Sequence, residues 1–184
     1  MDIWTQLGRF SEFETQRLLM RSFAFKDHKD FYEIARDAQN LAFIFPCQAN
    51  LAESDFLLVH YFMKNPLGIW ALENKQDHKM IGAIRLDKLD IIAKRAEIGY
   101  FLHRHYWKQG LATEALENLV FLAFQELDLK DLEIIVHKEN RASARVAEKA
   151  GFRLVRQFKG NDRYTHKMRD YLKYDLKAGD KSYE

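Results

Sequence analysis

Hydrophobic residues follow two spacings along the chain, and each spacing predicts one kind of element. In four stretches they recur every three or four positions, as on the buried face of a helix. The predicted helices cover residues 27–37, 53–64, 110–127 and 140–150. Short apolar or alternating runs are typical of strands. The predicted strands cover residues 18–20, 69–72, 80–86, 96–102, 132–136, 152–155 and 170–176.

The order of these elements predicts an α/β fold with a mixed sheet covered by helices. Three consecutive strands favour antiparallel pairing, whereas strand 96–102, helix 110–127 and strand 132–136 form a right-handed crossover with parallel strands. Asp27 stands where it can cap the first helix. Gly151 stands where left-handed backbone ends the last one.

Composition narrows the class of protein. The 184 residues suggest one domain, 1–184, and the 47% hydrophobic and 30% charged residues suit a folded, soluble chain. The net charge of +2 argues against a dedicated nucleic-acid-binding protein. Cys47, as the single cysteine, forms no intrachain disulfide, and we expect it to be buried. Apolar runs are too short to span a bilayer, so a cytoplasmic protein with no membrane association is expected.

The segment between strand 96–102 and helix 110–127 has features of an anion-binding loop. A helix start offers unpaired N–H groups and a partial positive charge, which suit a phosphate. Gly110 permits close approach of the backbone, and Arg104 and Lys108 add positive charge. Neither the P-loop nor the dinucleotide pattern is present. The alternative is that Gly110 simply begins a helix.

Residues 107–115 read Trp-x-x-Gly-x-Ala-Thr-Glu-Ala. This string resembles the acetyl-coenzyme-A loop of the GNAT superfamily of N-acetyltransferases. Four other segments agree in order and spacing: 15–21 with the family's first strand, 80–82 with its third, 97–100 with its fourth, and 140–152 with its second coenzyme-binding segment. The likeness covers about residues 14–176. It is strongest to the branch of the ribosomal-protein-alanine N-acetyltransferases (Rim type), where a Trp at position 107 is usual.

The resemblance implies the GNAT fold: a twisted, mostly antiparallel sheet of about seven strands with four flanking helices. The fourth and fifth strands of that fold splay apart, and the pantetheine of acetyl-CoA pairs with the fourth. The residues that would offer this backbone are Tyr100, Phe101, Leu102 and His103. The residues that would hold the pyrophosphate through N–H groups are Lys108, Gln109, Gly110, Leu111, Ala112 and Thr113. Asn140 and Ser143 would complete the coenzyme site.

Two residues are candidates for the chemistry. Glu97 could bind an ammonium group and accept its proton; the alternative is an ion pair with Arg95 or Arg85. Ser143 could stabilise the departing thiolate; the alternative is hydrogen bonding at the helix start, with Asn140 as the cap. The tyrosine acid that many family members carry is replaced by Ala147.

Other residues are candidates for binding the acceptor or a metal. Asp162, Tyr164 and His166 could line an acceptor pocket. The spacing His103-x-His105 is a poor metal signal, and no metal is expected.

The function expected from this resemblance is acetyl transfer from acetyl-CoA to a primary amine by direct attack in a ternary complex. A protein N-terminal α-amine is the expected acceptor, and a small-molecule amine or antibiotic is the main alternative. A non-catalytic acyl-CoA sensor is a second class. A third is a ribosome- or nucleic-acid-docking protein that uses the basic stretch 159–173. Both a monomer and a homodimer are compatible with the sequence.

Overall fold

A computed structural model describes residues 1–39 and 44–183. The α-helices in this part of the chain are α1 Ile3–Arg9, α2 His28–Ala35, α3 Leu51–Leu58, α4 Leu111–Gln125 and α5 Arg141–Lys149. The strands are β1 Phe13–Glu14, β2 Leu18–Arg21, β3 Ile69–Asn74, β4 Met80–Asp90, β5 Arg95–Leu102, β6 Asp131–His137, β7 Arg153–Asn161 and β8 Met168–Lys177. A π-helical turn, Val59–Met63, continues α3.

The strands hydrogen-bond in the order β1-β2-β3-β4-β5-β6-β8-β7. The β5–β6 pair is parallel, whereas β1–β2, β2–β3, β3–β4, β6–β8 and β7–β8 are antiparallel. The predicted mixed sheet and its parallel crossover are therefore confirmed. Strand β1 and helix α1 were not predicted, because β1 has two residues and α1 buries only Leu7.

Contacts within the chain group into two compact units. The first contains Met1–Arg85 and Tyr100–Ala115, and the second contains Leu86–Gly99 and Leu116–Glu184. The core of the first unit is aromatic. Phe31 lies at its centre, with ring centroids 6.2 Å from Phe23, 5.3 Å from Phe62 and 6.4 Å from Phe101. Such edge-on and tilted ring packing holds the end of β5 by its Phe101 side chain.

The second unit is built around β6, whose residues alternate between buried and half-buried. Leu132, Ile134 and Val136 are buried, so the opposite face of β6 carries the polar residues Glu133 and His137. The parallel register with β5 runs from Arg95↔Asp131 to Glu97↔Glu133. Strand β5 continues for five residues beyond this paired stretch.

The ends of α5 follow the prediction. The Asn140 side chain caps the helix by accepting the Ser143 N–H at 3.2 Å. Gly151 follows the helix with φ +94°, a left-handed conformation that favours glycine. The Phe152 N–H then donates to the Ala147 carbonyl at 3.0 Å, which satisfies one of the last helical acceptors.

Two expectations were wrong. The Asp27 carboxylate makes no capping bond to α2; it accepts both Nη groups of Arg21, at 2.8 and 2.9 Å, and the Ala24 N–H. The buried guanidinium competes successfully for this carboxylate, because an unpaired buried charge is costly. Cys47 is exposed, with its thiol donating to the Arg36 carbonyl at 2.9 Å.

Strands β4, β7 and β8 exceed the predicted lengths by three residues or more. Strand β4 continues to Asp90, and β7 and β8 extend through a polar, exposed hairpin. In the described residues no helix is long and apolar enough to cross a lipid bilayer.

Candidate functional site

The loop between β5 and α4 places two left-handed residues next to a helix start. Lys108 and Gly110 have positive φ values of 60° and 78°, on either side of Gln109. The first intrahelical hydrogen bond runs from the Glu114 N–H to the Gly110 carbonyl at 2.9 Å. The N–H groups of residues 111–113 therefore precede the helical ladder and point beyond the helix start. Left-handed residues next to such N–H groups form concavities that bind anions.

Two side chains fix the loop to the rest of the first unit. The Trp107 indole N–H donates to the Leu102 carbonyl at 2.8 Å. The Tyr106 hydroxyl donates to Asp77 at 2.5 Å. Burial and this hydrogen bond raise the pKa of Tyr106 to about 12, so the phenol stays protonated at neutral pH. Trp107 thus holds the loop to the end of β5, and Tyr106 holds it to Asp77.

Two side chains at the start of the loop, Arg104 and His103, are engaged with other residues. Arg104, expected to add charge near a phosphate, lies 3.2 Å from the Asp37 carboxylate and also contacts the Gln39 side chain. His103 accepts the His105 N–H on Nδ1 at 3.1 Å, and its Nε2 lies 3.4 Å from Glu33. Burial, with the neighbouring His105, lowers the pKa of His103, which favours the neutral ring with its proton on Nε2.

Arg17 and Glu114 connect the start of β2 to the start of α4. The Arg17 Nε donates to Glu114 Oε1 at 2.8 Å, and Arg17 Nη1 donates to the Gln109 carbonyl at 2.8 Å. Glu114 Oε2 accepts the Thr15 hydroxyl at 2.6 Å and the Arg17 N–H at 2.8 Å. No local pattern indicates this contact, because 97 residues separate Arg17 from Glu114 in the chain.

The end of β5 lies against β4 at an unusually close approach. A Cβ built on Gly82 would lie 2.2 Å from the Phe101 carbonyl oxygen. The His103 N–H donates to the Ile81 carbonyl at 2.6 Å. The four residues predicted to offer backbone to pantetheine, Tyr100 to His103, are therefore supported from the β4 side. The side chains of Phe101 and Leu102 are buried.

The second unit contains the other predicted site residues. The Asn140 amide group donates to Ser143 Oγ at 3.0 Å while its oxygen caps the Ser143 N–H. Ser143 is the third residue of α5, as predicted. Both interpretations of Ser143 therefore start from the same geometry, in which Asn140 holds the Ser143 backbone and hydroxyl at the helix start.

Glu97 is half-buried and pairs with neither predicted arginine. Its carboxylate lies 2.8 Å from Lys88 Nζ, and Arg95 lies closer to Asp90, at 3.7 Å. Glu97 is the register partner of Glu133, which is the partner of Asp175. These three carboxyl groups form a row on one face of β5, β6 and β8. Burial raises the pKa of Asp175, the last of the three.

The residues proposed to line an acceptor pocket lie in the β7–β8 hairpin. Asp162 accepts the Thr165 and Tyr164 N–H groups at 2.8 and 2.9 Å and lies 3.3 Å from His137 Nε2. The Thr165 N–H, acting against burial, lowers the pKa of Asp162. Tyr164 and His166 are exposed. In residues 1–39 and 44–183, no three His, Cys, Asp or Glu side chains are grouped to hold a metal ion.

Residues 17–153 match the model of the acetyltransferase (GNAT) domain. This match covers well over half of the chain, so the protein belongs to the GNAT acetyltransferase family. The family's sheet is the one described above, here with eight strands and five α-helices in the described residues, where about seven and four were expected.

Curated relatives match over part of their length. The uncharacterized N-acetyltransferase YoaA of Bacillus subtilis is 33% identical over 48% of this chain and 52% of its own. The Escherichia coli ribosomal-protein-serine acetyltransferase is 32% identical over 42% of this chain and 43% of its own. The E. coli spermidine N(1)-acetyltransferase is 30% identical over 50% and 52%. The chain thus spans about half the length of these relatives.

Solved structures match over nearly the whole chain. A GNAT-family acetyltransferase from Bacillus anthracis has a TM-score of 0.81 at 24% identity, over 91% of this chain and 99% of its own. The Vibrio cholerae spermidine N-acetyltransferase in complex with CoA and spermine has a TM-score of 0.74 at 15% identity, over 90% and 98%. These similarities establish the fold.

Proposed function

We propose that this chain is an acetyl-CoA-dependent N-acetyltransferase that moves an acetyl group onto a primary amine. The observation that carries the proposal is the loop before α4, with left-handed Lys108 and Gly110 and helix-start N–H groups ahead of the first intrahelical bond. Membership in the GNAT family supports acetyl-CoA as the anion for this loop.

The coenzyme would be held by the backbone of two segments. The N–H groups from Lys108 to Thr113 would bind the pyrophosphate, and the backbone from Tyr100 to Leu102 would bind the pantetheine. The predicted fourth residue, His103, has both backbone groups engaged: its N–H donates to the Ile81 carbonyl and its carbonyl accepts the Tyr106 N–H. The binding of CoA by a spermidine N-acetyltransferase of the same fold supports CoA as the ligand. Bound acetyl-CoA would supply an activated thioester, so the chain itself needs no covalent acetyl carrier.

Glu97 and Ser143 are the proposed chemical groups. Glu97 would take one proton from the bound ammonium, directly or through water, and the neutral amine nitrogen would then bond to the acetyl carbon as the carbon–sulfur bond breaks. The second proton, lost as the amide forms, would pass to the departing thiolate. Lys88, which pairs with Glu97, has a side chain that is 69% exposed, so an incoming ammonium group can replace it. The Ser143 hydroxyl would donate to the departing thiolate, where Ala147 offers no hydroxyl.

The proposed acceptor is a protein N-terminal α-amine. The ribosomal-protein-serine acetyltransferase among the relatives supports it, together with the Rim-type loop around Trp107. A small cationic amine is the second candidate, which the spermidine acetyltransferase relative supports.

Coenzyme binding is tested by isothermal titration of CoA into the wild-type protein and Gly110→Trp. We expect Gly110→Trp to abolish binding, because an indole at φ +78° would strain the turn and fill the space before α4. Gly8→Trp is the matched control: no atom lies within 4 Å of a Cβ there. Undiminished binding by Gly110→Trp would exclude this loop as the phosphate site.

Catalysis is tested by incubating protein and acetyl-CoA with peptides, spermidine and other amines, followed by thiol release and mass spectrometry. Glu97→Gln should lower kcat/KM about a hundredfold for the accepted amine and remove one limb of the pH–rate profile. Glu133→Gln is the matched control, since Glu133 is a half-buried carboxylate paired with Lys173 at 3.0 Å. Tight CoA binding without thiol release from any acceptor would instead identify an acyl-CoA sensor.

A further inference from the structure

The position of Arg17 is set by the sheet. Its carbonyl accepts the Lys75 N–H at 3.0 Å, and its own N–H donates to Glu114 at 2.8 Å. The backbone of Arg17 is thus held from both sides before its side chain makes any contact. The planar guanidinium fork is pre-organised, so less side-chain freedom is lost for each hydrogen bond that it forms.

The Arg17 guanidinium spans the turn at Gly110. On one side, Nε binds the Glu114 carboxylate in the first turn of α4; on the other, Nη1 binds the Gln109 carbonyl. A Cβ on Gly110 would lie 3.4 Å from Nη2, in ordinary van der Waals contact, so the guanidinium lies directly against the turn. One planar side chain therefore fixes the residue before the left-handed glycine and the helix that follows it.

This arrangement has two consequences for an anion in the loop. The Gln109 carbonyl is turned toward a cation, so its partial negative charge does not face the anion. Glu114, a carboxylate in the first helical turn, would repel a phosphate if its charge were uncompensated. Burial opposes the charged form of Glu114, but hydrogen bonds from Thr15 and Arg17 outweigh burial and lower its pKa, so the carboxylate stays ionised. Arg17 supplies the balancing positive charge.

We propose that Arg17 is a positioning residue for the coenzyme: it holds residues 107–110 in the anion-binding conformation and neutralises Glu114, without contacting the coenzyme itself. This inference rests on the proposed function, because it presumes that the loop binds the phosphates of acetyl-CoA. It assigns a role to the Arg17–Glu114 pair beyond stabilising the fold.

The test compares thioesters with and without the phosphates. Arg17→Gln should weaken CoA binding, measured by titration calorimetry, and should raise the KM for acetyl-CoA by about tenfold. A larger effect is not expected, because the Arg17 side chain is 43% exposed and solvent weakens its ion pair. The kcat at saturating acetyl-CoA should stay within about twofold of wild type, because the substitution weakens the bound substrate and the transition state equally. With S-acetylpantetheine, which has no pyrophosphate, KM should be the same in both proteins.

Three further variants sharpen the test. Arg17→Lys should restore only part of the affinity, because an ammonium lacks the planar fork that reaches Glu114 and Gln109 together. Arg153→Gln breaks an exposed ion pair with Asp180 in the second unit, at 3.3 Å, and should leave both thioesters unaffected. Thr15→Val removes one hydrogen bond to Glu114 and should give a smaller loss of the same kind if Arg17→Gln proves too unstable to purify.

The outcomes are distinct. Unchanged CoA affinity in Arg17→Gln, or an equal KM increase for acetyl-CoA and S-acetylpantetheine, would overturn the positioning role. Failure of the wild-type protein to bind CoA would overturn the proposed function itself.

Discussion

Replacing Gly82 with alanine, which adds only one methyl group, should strongly destabilise the first unit. The missing Cβ would lie 2.2 Å from the Phe101 oxygen and 3.1 Å from the Leu102 Cα. Both are backbone atoms, so no side-chain rotation can relieve the contact. A carbon–oxygen contact needs about 3.3 Å. In Gly82→Ala the two strands must therefore separate locally by about 1 Å.

The expected cost combines strain with weakened hydrogen bonding. Overpacking of a fixed core costs about 1–3 kcal/mol. The neighbouring backbone hydrogen bond, from the His103 N–H to the Ile81 carbonyl at 2.6 Å, would be stretched or lost, which costs about 1 kcal/mol. We expect Gly82→Ala to lower the free energy of unfolding by about 3 kcal/mol, which for a chain of this size lowers Tm by roughly 10 °C.

Urea unfolding followed by tryptophan fluorescence measures this loss, and Gly8→Ala is the control. Gly8 lies in α1 with nothing within 4 Å of a built Cβ. Alanine there should raise stability by up to about 1 kcal/mol, because glycine loses more backbone entropy in a helix. The same substitution thus has opposite signs at the two sites. A loss below about 1 kcal/mol in Gly82→Ala would refute the reasoning from backbone contact.

Two further predictions concern buried charge and pH. Asp27→Asn should lower the free energy of unfolding in urea by about 3 kcal/mol, because it removes the carboxylate charge that both Nη groups of the buried Arg21 bind and leaves the Glu73 carboxylate and the Ser22 carbonyl, each at 3.1 Å; a loss near zero would show that these partners suffice. Burial lowers the pKa of His103 in the folded state. As the pH falls, His103 is therefore protonated first in the unfolded chain, so the free energy of unfolding should decrease below about pH 6.5. His103→Gln should flatten this slope between about pH 7.5 and 5.5, and equal slopes in both proteins would contradict the assignment.

Local patterns predicted much of the coenzyme segment. Gly110 and Asn140 act within a few residues of themselves: one adopts a left-handed turn, and the other caps the helix that it precedes. Helix starts, caps and terminating glycines depend on backbone groups no more than four residues away. For that reason the positions of α4, α5 and Ser143 could be read before any partner across the fold was known.

Partner choice could not be read in this way. Glu97 had two plausible arginine partners in the sequence and pairs with Lys88 instead, because β4 extends far enough to place that lysine opposite. Asp27 looked like a cap, yet it binds Arg21. Strand β7 is largely exposed and polar, so no apolar alternation marked its full length. Pairing with β8 defines it.

The sequence by itself determined the family, the order of the main elements and the location of the loop that is proposed to bind coenzyme. Only the tertiary structure decided which charges meet: Arg17 with Glu114, Arg104 with Asp37, and His103 with Glu33. The physical reason is range. Backbone conformation follows from neighbours in the chain, whereas an ion pair depends on which of many similar side chains the sheet brings within about 4 Å.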